Sequence, residues 1–133
     1  MKKNIAIVAG GNSGEYEISM QSGEVVRRNL DSEIYTAYLI RIKKSNWELI
    51  DEKGNAHKVD KNDFTATIGN KKVSFDCVFN ALHGTPGEDG KFLGYLDMLG
   101  IPYTSSGMIT SALTFDKFFT NNLVRSLGMR TAP

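Results

Sequence analysis

Apolar residues along this chain fall into short runs closed by glycine-rich turns, and the runs switch between strand and helix periods. Residues 5–9, Ile-Ala-Ile-Val-Ala, form a β-branched run ended by Gly10 and Gly11, the pattern of a central strand buried on both faces. A helix is expected to open between Glu15 and Ser22, with Ile18, Val25, Val26 and Leu30 as its apolar side and residues 29–32 as its stop. Residues 33–42 return to strand through Ile34, Tyr35, Tyr38, Leu39 and Ile40. Strand, helix, strand in this order predicts a right-handed parallel crossover. From Trp47 the pattern becomes short alternating runs at 47–50, 64–68 and 73–75, with Gly-Asn pairs at 54–55 and 69–70. Those are hairpin signals, so an antiparallel insertion over about 44–75 is expected between the second and third parallel strands.

The apolar run at 77–82 leads directly into Ala81-Leu-His-Gly-Thr-Pro-Gly-Glu-Asp-Gly-Lys-Phe-Leu-Gly94. Four glycines there flank one histidine and an adjacent acidic pair, which reads as buried strand, backbone-exposing loop, then helix. The helix is expected to begin near Asp89, with Phe92, Leu93, Leu96 and Leu99 at helical spacing and Gly100 and Pro102 as its stop. His83 is therefore expected at a strand's carboxyl end facing a helix N-terminus, the edge where open α/β sheets bind ligands. A brief fourth strand over 101–105, a short helix over 108–113 and a helix capped by Thr114 and running to Leu127 complete the pattern. The fold class expected is α/β, a parallel sheet flanked by helices with an antiparallel hairpin insertion. Residues 1–128 are expected as one domain and 129–133 as the start of a linker.

At 133 residues the chain is one domain long, and 41% hydrophobic with 23% charged residues is ordinary for a soluble globular protein. Sixteen Lys and Arg against fifteen Asp and Glu leave no electrostatic case for a nucleic-acid or anionic-membrane partner. Cys77 is the only cysteine, which excludes an internal disulfide and reads as a small core residue. The apolar run after Met1-Lys-Lys-Asn is too short for a signal peptide, so a cytoplasmic protein is expected.

Glu15 stands on a strand-to-helix turn, where the helix dipole stabilises a carboxylate suited to a substrate ammonium; the alternative is decoration of a first helical turn. His83 is either a satisfied buried histidine or a site residue, and its Gly-rich neighbours favour the site. Glu88 and Asp89 are adjacent and point apart, so they read as capping and loop-ordering residues and not as a metal pair; no metal-ligand cluster is expected. His57 reads as exposed, Lys117 as a surface lysine, and Phe115, Phe118 and Phe119 as packing under the last helix. The first glycine loop also suits a dinucleotide, but it lacks Gly-x-Gly-x-x-Gly, and an Arg41 contact to a 2′-phosphate would have to replace the acidic ribose ligand.

His83-Gly-x-x-Gly-Glu-Asp-Gly90 resembles the first signature of the D-alanine:D-alanine ligases of the ATP-grasp superfamily. Gly10-Gly-Asn-Ser-Gly-Glu-Tyr-Glu-Ile-Ser19 agrees with it, as does Ile101-Pro-Tyr-Thr-Ser-Ser-Gly107 running on to Ser111-Ala-Leu-Thr-Phe-Asp-Lys117. The chain departs from that family at Phe92 and Leu93, where a small aliphatic and then Gln or a small residue are usual, and its middle, about 43–75, matches no motif of the family. The resemblance implies a Rossmann-like, pre-ATP-grasp domain. It implies Glu15 on the ammonium of the first D-alanine, Ile18, His83 and Gly84 around that substrate, His83 beside its reacting carboxyl group, and Lys117 on the nucleotide phosphates. The implied reaction is phosphorylation of one D-alanine by ATP and attack of a second on the acyl phosphate, giving the dipeptide for peptidoglycan. ATP and Mg²⁺ would be held mainly by an ATP-grasp domain beyond residue 133, and copies would pair through this domain as a homodimer. The competing readings are a Rossmann-type oxidoreductase and a stand-alone binding or dimerisation module.

Overall fold

The computed structural model describes residues 1–131, so the last two residues of the expected linker at 129–133 lie outside the described residues. In chain order the elements are β1 (Lys3–Gly10), α1 (Tyr16–Asn29), β2 (Tyr35–Lys43), β3 (Asn46–Ile50), β4 (Ala56–Asp60), β5 (Thr65–Ile68) and β6 (Lys71–Val73). There follow β7 (Cys77–Asn80), α2 (Lys91–Leu99), β8 (Tyr103–Thr104), α3 (Met108–Phe115) and α4 (Lys117–Ser126). The strands make one sheet in the order β6-β5-β4-β3-β2-β1-β7-β8. β1 is central and pairs in parallel with β2 on one side and β7 on the other, and β8 continues in parallel beyond β7. The expected insertion is present as β3 to β6, all antiparallel, and it extends the sheet outward from β2. The α/β class and the hairpin insertion are therefore as expected.

Side-chain alternation along β1 divides the core between two faces. Ile5, Ile7 and Ala9, with Leu39 and Ala81, face α1, whose Met20, Val26 and Leu30 pack against them. Ala6 and Val8, with Ile40, Ile42 and Val78, face α2 and the curled insertion. On that side Phe92 of α2 meets Trp47 and Phe64 edge-on at ring separations of 5.6 and 5.9 Å, and Tyr95 closes the cluster. Such pairs contribute about 0.5–1.5 kcal/mol each beyond their buried area. The departure at Phe92 and the unmatched middle of the chain thus meet in one core: the bulky residue on α2 packs against the insertion's own aromatics.

Several local expectations are corrected by packing. Ile18 and Val25 are 54% and 61% exposed, and the residues α1 buries are Ser19 and Gly23. The helix lies too close to the sheet for large side chains on that line. A Cβ at Gly23 would stand 2.8 Å from the Ala9 Cβ and 3.1 Å from the Leu39 Cδ1. Thr114 lies inside α3 and does not cap α4; Asp116 does, accepting from the N–H groups of Phe118 and Phe119. Phe115, Phe118 and Phe119 are exposed, because α4 packs on α3 and not on the sheet. His57 is half-buried and its Nε2 lies 3.0 Å from the Asp51 Oδ2. A carboxylate only accepts, so Nε2 carries the proton. That bond, followed by those from Asn55, holds Asp51 well below the usual carboxylate range and ties the β3–β4 turn. Cys77 is half-buried at the edge of the α1-side core.

Gly23→Ala tests the packing of α1. Alanine gains about 1 kcal/mol of helix propensity, but forcing a methyl between Ala9 and Leu39 costs about 1–3 kcal/mol. The variant is expected to be less stable than the parent in urea unfolding, and equal or greater stability would show that α1 has room to move away.

Candidate functional site

Strand order reverses at β1, since the chain passes from β1 to β2 on one side and later returns to β7 on the other. The carboxyl ends of β1 and β7 therefore flank the crevice where open α/β sheets take ligands. Two glycine-rich loops leave from it, one over residues 11–15 and one over 81–90. Gly10 and Gly11 have φ of +102° and +98°, and Gly84 and Gly90 of +68° and +81°, conformations that favour glycine. Gly87 needs no positive φ, yet a Cβ there would meet the Leu82 Cβ at 2.3 Å, so it is required by space.

The loops are stitched to each other. The Asn12 N–H donates to the Thr85 carbonyl at 2.9 Å. The Ser13 hydroxyl donates to the His83 carbonyl at 2.9 Å and accepts from the Glu15 N–H at 3.2 Å, so one hydroxyl joins the backbones of the two principal candidates. A Cβ at Gly84 would lie 2.7 Å from the Ser13 Cβ. Below them the fully buried Ser19 hydroxyl accepts from the Gly10 N–H at 2.8 Å and donates to the Ala81 carbonyl at 2.7 Å. Asn12 also anchors the end of β2, its Oδ1 accepting from the Lys44 N–H at 2.6 Å.

Glu15 is the residue just before α1, its side chain exposed, where the unpaired N–H groups of the first turn favour a carboxylate. His83 is half-buried, three residues beyond β7. Gly84 is buried and its N–H donates to the Glu88 carboxylate at 2.6 Å. Glu88 orders the loop as expected, and Asp89 receives the Thr85 hydroxyl and the Lys91 ammonium. Burial opposes ionisation of Asp89, but those bonds outweigh it and hold its carboxyl below the usual range. Neither residue is the N-cap of α2, a place taken by Gly90. Ile18 stands on the exposed side of the first turn of α1.

Lys117 is exposed on the first turn of α4, an element that packs on α3. Among the described residues no group of three or more His, Cys, Asp or Glu is placed to hold a metal ion. One exposed lysine and no carboxylate cluster do not amount to a cradle for a nucleotide triphosphate and Mg²⁺. The residues present do not fit that group by themselves. Arg41, the alternative phosphate contact, is engaged by the Glu48 carboxylate at 2.5 Å. No helix among the described residues is long and apolar enough to cross a membrane.

Sequence reasoning did not assign Asn12, Ser13 or Ser19. The signal for Ser19 was present in its spacing to Gly23, two small residues four apart on one helix face.

An open α/β sheet with its crevice at a strand-order reversal, lined by two interlocked glycine loops, defines a Rossmann-like ligand-binding domain. Residues 4–106 match the family model for the D-ala D-ala ligase N-terminus. The D-alanine–D-alanine ligase of Bacteroides thetaiotaomicron is 41% identical over 132 residues, covering 99% of this chain and 41% of that protein. That of Flavobacterium johnsoniae is 45% identical over 130 residues, covering 98% and 40%. Among solved structures, D-alanyl-alanine synthetase A from Vibrio cholerae matches with a TM-score of 0.87 at 29% identity, covering 99% of this chain and 39% of that one. The VanG D-Ala:D-Ser ligase from Enterococcus faecalis matches with a TM-score of 0.83 at 30% identity, covering 100% and 44%. A Bacillus anthracis ligase solved in complex with ATP matches at 0.72 and 28% identity, covering 98% and 38%. The chain belongs to the D-ala D-ala ligase N-terminus family, and it spans about 40% of the length of the curated relatives it matches.

Gly84→Ala would force a methyl onto Ser13 in a left-handed backbone. Strain of about 1–3 kcal/mol is expected at the loop, seen as loss of amide protection at Asn12 and Gly84 with the β1–β2 ladder still protected. Uniform loss across the sheet would contradict a local role.

Proposed function

We propose that this chain is the part of an ATP-dependent D-alanine:D-alanine ligase that receives the first D-alanine, in cytoplasmic synthesis of the peptidoglycan dipeptide. The observation that carries the reading is the Ser13 hydroxyl, which ties the Glu15 and His83 backbones together across the crevice. In this reading the Glu15 carboxylate holds the substrate ammonium, His83 lies beside the carboxyl group that reacts, and Ile18 and Gly84 border the methyl and backbone of the same molecule. The work of these residues is to bind and orient, which removes much of the entropic barrier before any bond changes. Residues 1–128 are the substrate domain, and pairing of copies through it is part of the proposal. ATP and Mg²⁺ supply the activation in this family, held by parts of the enzyme other than these residues, with Lys117 as this chain's contribution to the phosphates. VanG is a D-Ala:D-Ser ligase, so the same domain shape serves enzymes that differ in their second substrate.

In the ligase that contains this domain, Glu15→Gln is expected to raise KM for D-alanine and lower kcat. Loss of one charge-assisted contact amounts to about 1.5–3 kcal/mol, or roughly 10- to 100-fold in kcat/KM. Unchanged kinetics would remove Glu15 from the site. A second measurement bears on the nucleotide: the 133-residue chain mixed with ATP, Mg²⁺ and D-alanine is expected to release no phosphate above background. Release that depends on D-alanine and disappears in His83→Ala would place a complete nucleotide site within it.

A further inference from the structure

The parallel ladder between β1 and β7 ends in an unusual way. The Ala81 N–H donates to the Val8 carbonyl at 2.9 Å, one residue beyond the last paired position, Val8 with Asn80. In a parallel ladder a residue that donates to one partner accepts, through its own carbonyl, from the N–H two residues further along that partner. The next rung would therefore join the Gly10 N–H directly to the Ala81 carbonyl. Both groups turn instead to the Ser19 hydroxyl, which accepts from Gly10 and donates to Ala81. One hydroxyl, carried by a helix, occupies the place of a backbone rung.

Two bonds meeting at one oxygen hold the Gly10 nitrogen and the Ala81 oxygen on the order of 4.5 Å apart, where a direct rung would hold them at about 2.9 Å. The strands part at that point. Immediately beyond it the chain runs from Gly10 to Glu15 on one side and from Ala81 to His83 on the other. Ser19 is also tied to Glu15, since its N–H donates to the Glu15 carbonyl at 2.9 Å. We infer that Ser19 is a positioning residue: its hydroxyl wedges β1 from β7 and sets the width of the crevice between Glu15 and His83. The inference rests on the D-alanine reading only for its functional consequence; the wedge is a property of the ladder.

The test has one structural and one kinetic readout. In a crystal structure of this chain with Ser19→Ala, the Gly10 nitrogen is expected to close onto the Ala81 oxygen as a direct rung; an unchanged separation overturns the wedge. In the ligase that contains this domain, Ser19→Ala is expected to raise KM for D-alanine about tenfold, the effect of one displaced binding group, with KM for ATP within about twofold of the parent. Equal KM for D-alanine in Ser19→Ala and the parent overturns the inference. If Ser19→Ala does not fold, Ser19→Cys decides: the thiol fills the space but bonds weakly, so a rise of about fivefold or more sustains the inference and a KM within about twofold overturns it. Glu15→Gln measured alongside separates the two claims. If Glu15→Gln leaves KM for D-alanine unchanged, the D-alanine reading fails while the crystal structure still decides the wedge.

Discussion

The distance between α1 and the sheet is the constraint on which the carboxyl edge depends. Gly23 lets the helix approach until the space at its Cα is filled by Ala9 and Leu39. Only at that distance does the Ser19 hydroxyl, one turn earlier, reach both the Gly10 N–H and the Ala81 carbonyl. A larger residue at Gly23 would lift the helix and draw the Ser19 hydroxyl away from the Gly10 N–H and the Ala81 carbonyl. The small residues on α1 thus act through what they permit: a polar connection between helix, central strand and signature loop.

From that connection the candidate site follows by short covalent steps. Glu15 is held at the start of α1 and His83 is two residues beyond Ala81, and Ser13 links their backbones a second time. Glu88 and Asp89 close the signature loop on itself through Gly84, Thr85 and Lys91. A loop with this many internal bonds is held in one shape by its own residues. Charge is distributed accordingly: the acidic pair bonds within the loop, and Glu15 and Glu17 are exposed at the start of α1.

The insertion explains the rest of the core. α2 follows the signature loop and turns Phe92, Leu93 and Leu96 inward. β3 to β6 continue the sheet beyond β2 and bring Trp47, Phe64 and Phe75 onto the same face. The outer pair α3 and α4 is different in kind. It buries no residue and exposes Ile109, Phe118, Phe119 and Leu127, while the family model ends at residue 106, before α3 begins.

Local chemistry in the sequence was enough to determine the strands, the parallel core, the hairpin insertion and the two loops. Apolar runs of period two, Gly-Asn turns and glycines with positive φ act within a few residues of themselves. It was enough also to put Glu15 and His83 at the carboxyl edge of the sheet, because a strand-to-glycine-to-helix transition falls there; the roles proposed for them came from the family resemblance. What only the tertiary structure decided is which residues meet across long separations. Ile18 and Val25 carried the apolar pattern of α1, yet the buried line is Ser19 and Gly23, since helix-to-sheet distance is set by both partners. The phenylalanines at 115, 118 and 119 had helical spacing and no sheet to pack on. His57 found Asp51 because a hairpin register brought them together. The Ser19 bridge spans 62 residues to Ala81, and no local pattern encodes a hydrogen bond whose acceptor is delivered by a strand on the far side of an insertion.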